Sequence, residues 1–230
     1  MKVIARVHTA LPEKFGLPRQ SGLAEHLKGE IVFELEYRDA NALRGLMGFS
    51  HIWVLWVFSE ALREGWSPTV RPPRLGGNTA MGVFATRSPF RPNPVGLSCV
   101  RLEGIREVPG KGPVLEISGI DMMDGTPVID IKPYLPYADS RPEAEAGFAG
   151  PLTQHALRVE IPPELASQFE KDALLGLQEI LSQDPRPGYR QNDERAFGLN
   201  YAGKNVRFRA ADGVCRVEAV EALHQGDPGD

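Results

Sequence analysis

The sequence predicts a mainly β protein: a barrel or sandwich over residues 1–148, followed by a small α+β domain over residues 149–230. Three observations carry this reading. The apolar segments are short, β-branched or aromatic, and separated by turn residues, as in a sheet with many reversals. Glycine (24) and proline (20) are too frequent for a helical protein and fall between those segments. A long helical periodicity occurs once, at Pro163 to Ser182, with Leu165, Phe169, Ala173, Leu177, Ile180 and Leu181 on one face and Pro163 suited to the first turn.

Taken in order, Val3 to Val7 reads as a strand, Leu11 to Gly29 as a long loop and Glu30 to Tyr37 as a second strand. Asn41 to Gly48 reads as a short helix. His51 to Phe58 (HIWVLWVF) is too short and too aromatic for a typical helix and reads as a buried strand. Ser67 to Gly77 is loop. Gly82 to Thr86 and Val95 to Val108 read as strands flanking a second proline-rich loop. Pro113 to Asp121 and Pro127 to Ile131 bracket Asp124-Gly125, a pair that predicts a hairpin because both residues tolerate positive φ. Glu143 to Pro151 reads as a linker. Beyond it come a strand at Thr153 to Ile161, the helix, a closing meander containing Asn205 to Arg209 and Val214 to Val220, and a polar end from His224.

Composition bounds the function. Hydrophobic and charged contents of 42% and 24% are those of a globular chain, and no apolar run approaches the roughly 18 residues that span a bilayer. Met1 to His8 alternates charged and aliphatic residues, unlike a signal peptide. Cys99 and Cys215 lie far apart without Cys-x-x-Cys spacing, which points to reduced thiols and a cytoplasmic location. The net charge of −4 argues against indiscriminate nucleic-acid binding. Locally, however, seven arginines stand against Glu64 and Glu103 between Arg63 and Arg106. Six basic residues stand against Asp193 and Glu194 between Pro185 and Ala210. Guanidiniums suit bidentate contacts to phosphate, carboxylate or base edges, and they equally serve as structural partners.

The segment richest in chemistry is Gly82 to Gly96, GVFATRSPFRPNPVG. Pro89, Pro92 and Pro94 exclude helix and a central strand, and their fixed φ stiffens the loop that carries Arg87, Ser88, Arg91 and Asn93. Leu17-Pro18-Arg19-Gln20, Pro72 to Asn78, Asp124 to Pro127 and Asp184 to Arg190 are further polar loops. In the last of these, Tyr189 between Arg186 and Arg190 can stack on a base or pack the helix end. No Gly-x-Gly-x-x-Gly, Walker A or Gly-x-Ser-x-Gly sequence is present, and the histidines at 8, 26, 51, 155 and 224 lack metal-ligand spacing, so no metal is expected.

These segments resemble the TsaA-like (TrmO) family. The resemblance runs through RGLMGFSHIWVLWVF, GWSPTVRPPRLGGN, GVFATRSPFRPNPVG, DGTPVIDIKPYLPYAD and DPRPGYR, and so covers nearly the whole chain. It implies a single-sheeted antiparallel β-barrel, a homodimer, S-adenosylmethionine as methyl donor, and N6-methylation of threonylcarbamoyl-adenosine beside the tRNA anticodon. Carried over by position, it implies a donor site of Pro18, Arg19, Gln20, Arg87, Leu97, Asp124, Gly125, Thr126 and Pro127. The family also uses a dipeptide at the end of the aromatic strand, often His-Gln; here Ser59 and Glu60 stand there. DPRPGYR would face the tRNA through Asp184, Arg186, Tyr189 and Arg190. Arg91, Arg186 and Arg190 are candidates for the threonyl carboxylate, and Asp124, Asp184 and Tyr189 for the base that accepts the nucleophile's proton. All implied donor residues precede the linker, so a chain ending near Gly150 is expected to retain donor binding. The alternatives are a non-catalytic RNA-binding module and a methyltransferase of the same fold acting on another substrate.

Overall fold

The computed structural model describes residues 1–62, 64–72, 75, 77–150, 156–186 and 195–223. Its strands are β1 (Ala5–Thr9), β2 (Lys28–Phe33), β3 (His51–Val57), β4 (Thr69–Val70), β5 (Met81–Gly82), β6 (Val95–Val108), β7 (Gly112–Ser118), β8 (Pro127–Pro133), β9 (Arg158–Glu160), β10 (Phe197–Tyr201), β11 (Lys204–Ala211) and β12 (Val214–Ala222). Helices α1 (Pro136–Asp139), α2 (Pro163–Ala166) and α3 (Lys171–Ser182) complete the chain. The mainly β, antiparallel expectation holds.

Six strands form one antiparallel sheet in the order β1-β2-β7-β6-β3-β8, and β8 returns to β1 through Ala5↔Val128 and Arg6↔Pro127, closing a barrel. Period-two patterning builds it. In β3 the side chains of Ile52, Val54 and Trp56 are buried and alternate with the half-exposed His51, Trp53 and Leu55. Ala5, Val7, Ile31, Val100, Leu115 and Val128 fill the same interior. A second sheet has the order β10-β11-β12-β9, with β9 parallel to β12. Buried Leu177, Ile180 and Leu181 of α3 join Leu199, Val206 and Phe208 of that sheet in the same hydrophobic cluster as the barrel interior.

Several local expectations change. The helix predicted from Pro163 to Ser182 is broken into α2 and α3. Ser167 turns its hydroxyl back onto the Glu164 carbonyl at 3.0 Å, and Glu170 is extended. Asn41 to Gly48 forms two 3-10 turns, Ala40–Leu43 and Leu46–Gly48, separated by Gly45 at φ 87°. Gly82 to Thr86 is a two-residue strand followed by a 3-10 turn. Asp124-Gly125 is no hairpin. Only Gly125 has positive φ (76°), and the flanking strands β7 and β8 do not pair with each other. The hairpin with this dipeptide is Asp212-Gly213, where both residues take positive φ (50° and 76°) and β11 reverses into β12.

The loop from Ala10 to Leu27, between β1 and β2, contributes Leu11, Ala24 and Leu27 to that shared cluster. Phe15 stacks on Phe197 and Phe208, each at 6.4 Å between centroids. Gly16 passes so close to Leu199 that a Cβ there would overlap that side chain. Ala202 N donates to Ala10 O (2.9 Å) and Gln183 Nε2 to Leu23 O (3.0 Å). The Glu179 carboxylate takes the His26 backbone N–H at 2.8 Å and meets His26 Nδ1 at 2.6 Å. Lys28 pairs with Asp172 at 2.5 Å.

The Glu179 bond and charge raise the pKa of His26 above its ordinary 6.5. A raised cationic pKa contributes stability that is fully present below the unfolded value and is lost as pH rises through the folded value. The junction between α3 and the loop is therefore expected to loosen on the alkaline side of 6.5. Amide exchange around His26, followed from about pH 6 to about pH 9, checks this after correction for intrinsic exchange. His26→Gln should flatten the profile.

Candidate functional site

Strand direction gathers the candidate residues. In an antiparallel barrel, alternate connections emerge at the same end. The β1–β2, β3–β6 and β7–β8 connections share one end, as the registers Thr9↔Gly29, Val57↔Val95 and Lys28↔Ser118 require. Pro18, Arg19 and Gln20 lie on the first connection. Ser59, Glu60, Arg87 and Arg91 lie on the second, Leu97 at the start of β6, and Asp124 to Pro127 on the third.

Contacts draw these connections together. Arg87 Nη1 donates to Gln20 Oε1. Lys14 reaches Glu60 at 3.0 Å, linking the first loop to the end of β3. Pro18 is buried, Arg19 is exposed, and Leu97 presents 53% of its surface. Arg91 donates to the Thr86 carbonyl at 3.0 Å, so part of its capacity stiffens its own loop. The Asp124 to Pro127 turn is fastened to β1. Asp124 Oδ1 accepts from Thr9 N at 3.1 Å and lies 3.2 Å from His8 Nδ1, and Arg6 Nη1 donates to Gly125 O at 3.2 Å. Thr126 is buried with its hydroxyl bonded to Met123 O at 2.7 Å.

Beneath this surface runs a polar chain that the sequence reading missed. Trp56 Nε1 donates to Ser98 Oγ at 2.9 Å, and Ser98 Oγ donates to Asp121 Oδ1 at 2.5 Å. The indole of Trp56 lies against Gly96, where a Cβ would overlap it. Asp121 retains some exposed surface, but burial dominates its carboxyl and raises its pKa above the ordinary value. The Ser98 hydroxyl, the Ser21 backbone N–H and the charge of Arg87 oppose that rise. Ser21 is held a second time, its Oγ accepting from Cys99 N at 3.1 Å. The available signal was an acid between two apolar residues, Ile120 and Met122.

In the second sheet, Asp184 and Arg186 are spent on each other. Arg186 Nε and Nη2 bond the two Asp184 oxygens at 2.7 and 2.9 Å, and Nη1 donates to Ala210 O at 2.7 Å. The Arg186 side chain is 4% exposed. Buried and doubly bonded, the pair anchors its own segment. Tyr189 and Arg190 lie outside the described residues. The arginine-rich stretches are also less basic in space than along the chain. Arg106 pairs with Glu30 and Glu116, Arg209 with Glu218, and Arg207 with Glu221.

The geometry thus defines a barrel with one loop-built polar site and an appended sheet. The family model for the tRNA-methyltransferase O N-terminal domain matches residues 6–140, and that for the TrmO C-terminal domain matches residues 154–223. The chain belongs to this family. It is 45% identical over 231 residues to the Escherichia coli K12 protein named tRNA (adenine(37)-N6)-methyltransferase, covering 95% of this chain and 96% of that one. An Eikenella corrodens protein of the same name is 47% identical over 176 residues, covering 76% and 98% of the two chains. A crystal structure of TrmO from Pseudomonas aeruginosa superposes with a TM-score of 0.76 at 32% identity, covering 96% of this chain and 99% of that one.

Removing one member of a buried ion pair strands the other charge and costs about 3–5 kcal/mol. Arg186→Ala is therefore expected to lower global stability by an amount of that order, measured by chemical denaturation. A surface phosphate contact would leave the denaturation midpoint unchanged.

Proposed function

We propose that this chain is a methyltransferase acting on N6 of adenosine 37 of tRNA, with S-adenosylmethionine as donor and threonylcarbamoyl-adenosine as the acceptor. The observation that carries the reading is the convergence of Pro18–Gln20, Ser59–Glu60, Arg87, Leu97 and Asp124–Pro127 at one barrel end, in a chain of this family. Residues 1–148 hold the donor and residues 149–230 face the tRNA. The enzyme works as a homodimer in the cytoplasm and uses no metal.

The donor set fits the ligand. Arg87, exposed and oriented by Gln20, offers guanidinium N–H groups to a carboxylate. Exposed Leu97 offers apolar surface for a purine, and the Asp124 to Pro127 turn brings backbone groups to the same end. When bound, S-adenosylmethionine supplies an electrophilic methyl group for in-line displacement at the acceptor nitrogen. The residues around it fix both partners and receive the nucleophile's proton. Asp124 and Tyr189 remain the candidates for that proton, since the Asp184 carboxylate is occupied by Arg186. Arg91 and Arg190 remain the candidates for the threonyl carboxylate. The pairing of Arg106, Arg186, Arg207 and Arg209 within the protein weighs against a passive RNA-binding module.

The deciding experiment incubates the protein and labelled donor with unmodified and threonylcarbamoylated tRNA. Label is expected in the modified tRNA alone; equal labelling of both would refute the acceptor assignment, and none would refute the activity. Within that assay, Arg87→Ala should weaken donor affinity about tenfold to a hundredfold, as loss of a charge-assisted bond implies. Undiminished affinity in calorimetry would remove Arg87 from the site.

The seating of Phe15 revises the expected independence of the first 150 residues. A chain ending there loses Phe197, Leu199 and Phe208, against which the donor loop rests. Phe15→Ala, three residues from Pro18, should therefore lower donor affinity severalfold in the full chain, without itself touching the donor. Calorimetry on the folded variant measures it, and wild-type affinity would show that the loop holds its shape unaided.

A further inference from the structure

Among the described residues, Asp121 is a largely buried carboxyl whose partners reach two separate connections of the donor end. From β6, Ser98 donates its hydroxyl to Oδ1 at 2.5 Å and is itself held by Trp56. From the first loop, the Ser21 backbone N–H bonds the carboxyl next in sequence to Gln20. From the proline loop, Arg87 acts on it through charge and at the same time bonds the Gln20 side chain. On its own segment the next carboxylate, Asp124, turns its Oδ1 to Thr9 N and His8 Nδ1. Arg87 is thus the charged group that bears on Asp121 among the described residues.

We propose that Asp121 is a positioning residue of the donor site, whose ionised carboxylate pins Ser21 and balances Arg87 so that Gln20 and Arg87 present a fixed donor-binding edge. The inference rests on the donor site proposed above. Ionisation matters because the groups meeting the carboxyl are three donors (the Ser98 hydroxyl and the backbone N–H groups of Ser21 and Asp121 itself) and a cation, all of which favour the charged form. A protonated carboxyl would turn one oxygen into a donor, compete with the Ser21 N–H, and remove the negative charge that acts on Arg87. Burial works against ionisation, so the carboxyl gains its proton at higher pH than an exposed aspartate does. The donor edge should accordingly come apart on mild acidification, while the apolar barrel interior remains closed.

The test is donor affinity by calorimetry from about pH 4 to about pH 8 in the intact protein, with folding followed by circular dichroism. The wild type is expected to lose affinity for S-adenosylmethionine as pH falls, with an inflection above the ordinary aspartate range. Asp121→Asn keeps the shape and one acceptor oxygen. It should bind the donor about tenfold or more weakly at neutral pH and lack the inflection. Ser98→Ala removes a bond that favours the charged form, so its inflection should move to higher pH. That shift is one that a purely structural defect would not produce. An inflection that persists in folded Asp121→Asn, or that stays fixed in Ser98→Ala, overturns the proposal and leaves the donor site standing. A wild type that binds no donor at any pH overturns the donor site and the proposal together.

Discussion

The loop-bearing end of the barrel depends on an indole packed against bare backbone. Trp56 points into the barrel from the end of β3, and Gly96, its partner across the ladder with β6, leaves the space it fills. Any side chain at 96 would push the ring away, and a dense interior has no slack for it. From that position the indole N–H reaches Ser98 Oγ, whose own hydroxyl is donated to Asp121. The polar chain is fully satisfied: among the described residues no buried side-chain nitrogen or oxygen lacks a partner. A satisfied network in a low-dielectric interior rigidifies what it touches. What it touches here is Ser21, and through it the loop that carries Gln20.

Strands were legible because their signal is local. β6 runs over Val95–Val108 and β3 over His51–Val57, where alternation and β-branched content placed them. Turns were legible only in part, because a turn's outcome depends on where its flanking strands are needed. Asp124-Gly125 and Asp212-Gly213 share a dipeptide, but one crosses between strands that never pair and the other closes a hairpin. The long periodic stretch gave the right buried face, while the break at Ser167 came from a hydroxyl competing for a carbonyl. Period alone does not register that competition.

The site was legible as segments and illegible as contacts. Motif resemblance selected residues that strand direction brings to one end of the barrel. It gave no hint that Asp184 and Arg186 would neutralise each other, because burial is a property of the sheet they rest on. Counting charge along the chain misjudged the arginine clusters for the same reason. Arg106 finds Glu30 on a neighbouring strand, and Arg209 finds Glu218 across a hairpin. Asp121 was overlooked because an acid at the end of a predicted strand carries no signal until its partners, 23 residues away at Ser98 and at Ser21, are in place.

The seat of Phe15 also sets an order of events during synthesis. β1 can pair with β2 as soon as both are made, and the barrel can close once β8 follows. The loop between β1 and β2 must wait for Phe197 and Phe208. At roughly 5–20 residues per second, the interval between Phe15 and Phe208 leaving the ribosomal active site is on the order of 10–40 s. A nascent barrel therefore carries its β1–β2 loop unseated until those residues emerge. The β10–β11 pair, which holds Phe197 opposite Phe208, is thus the part of the second sheet that this early loop waits for.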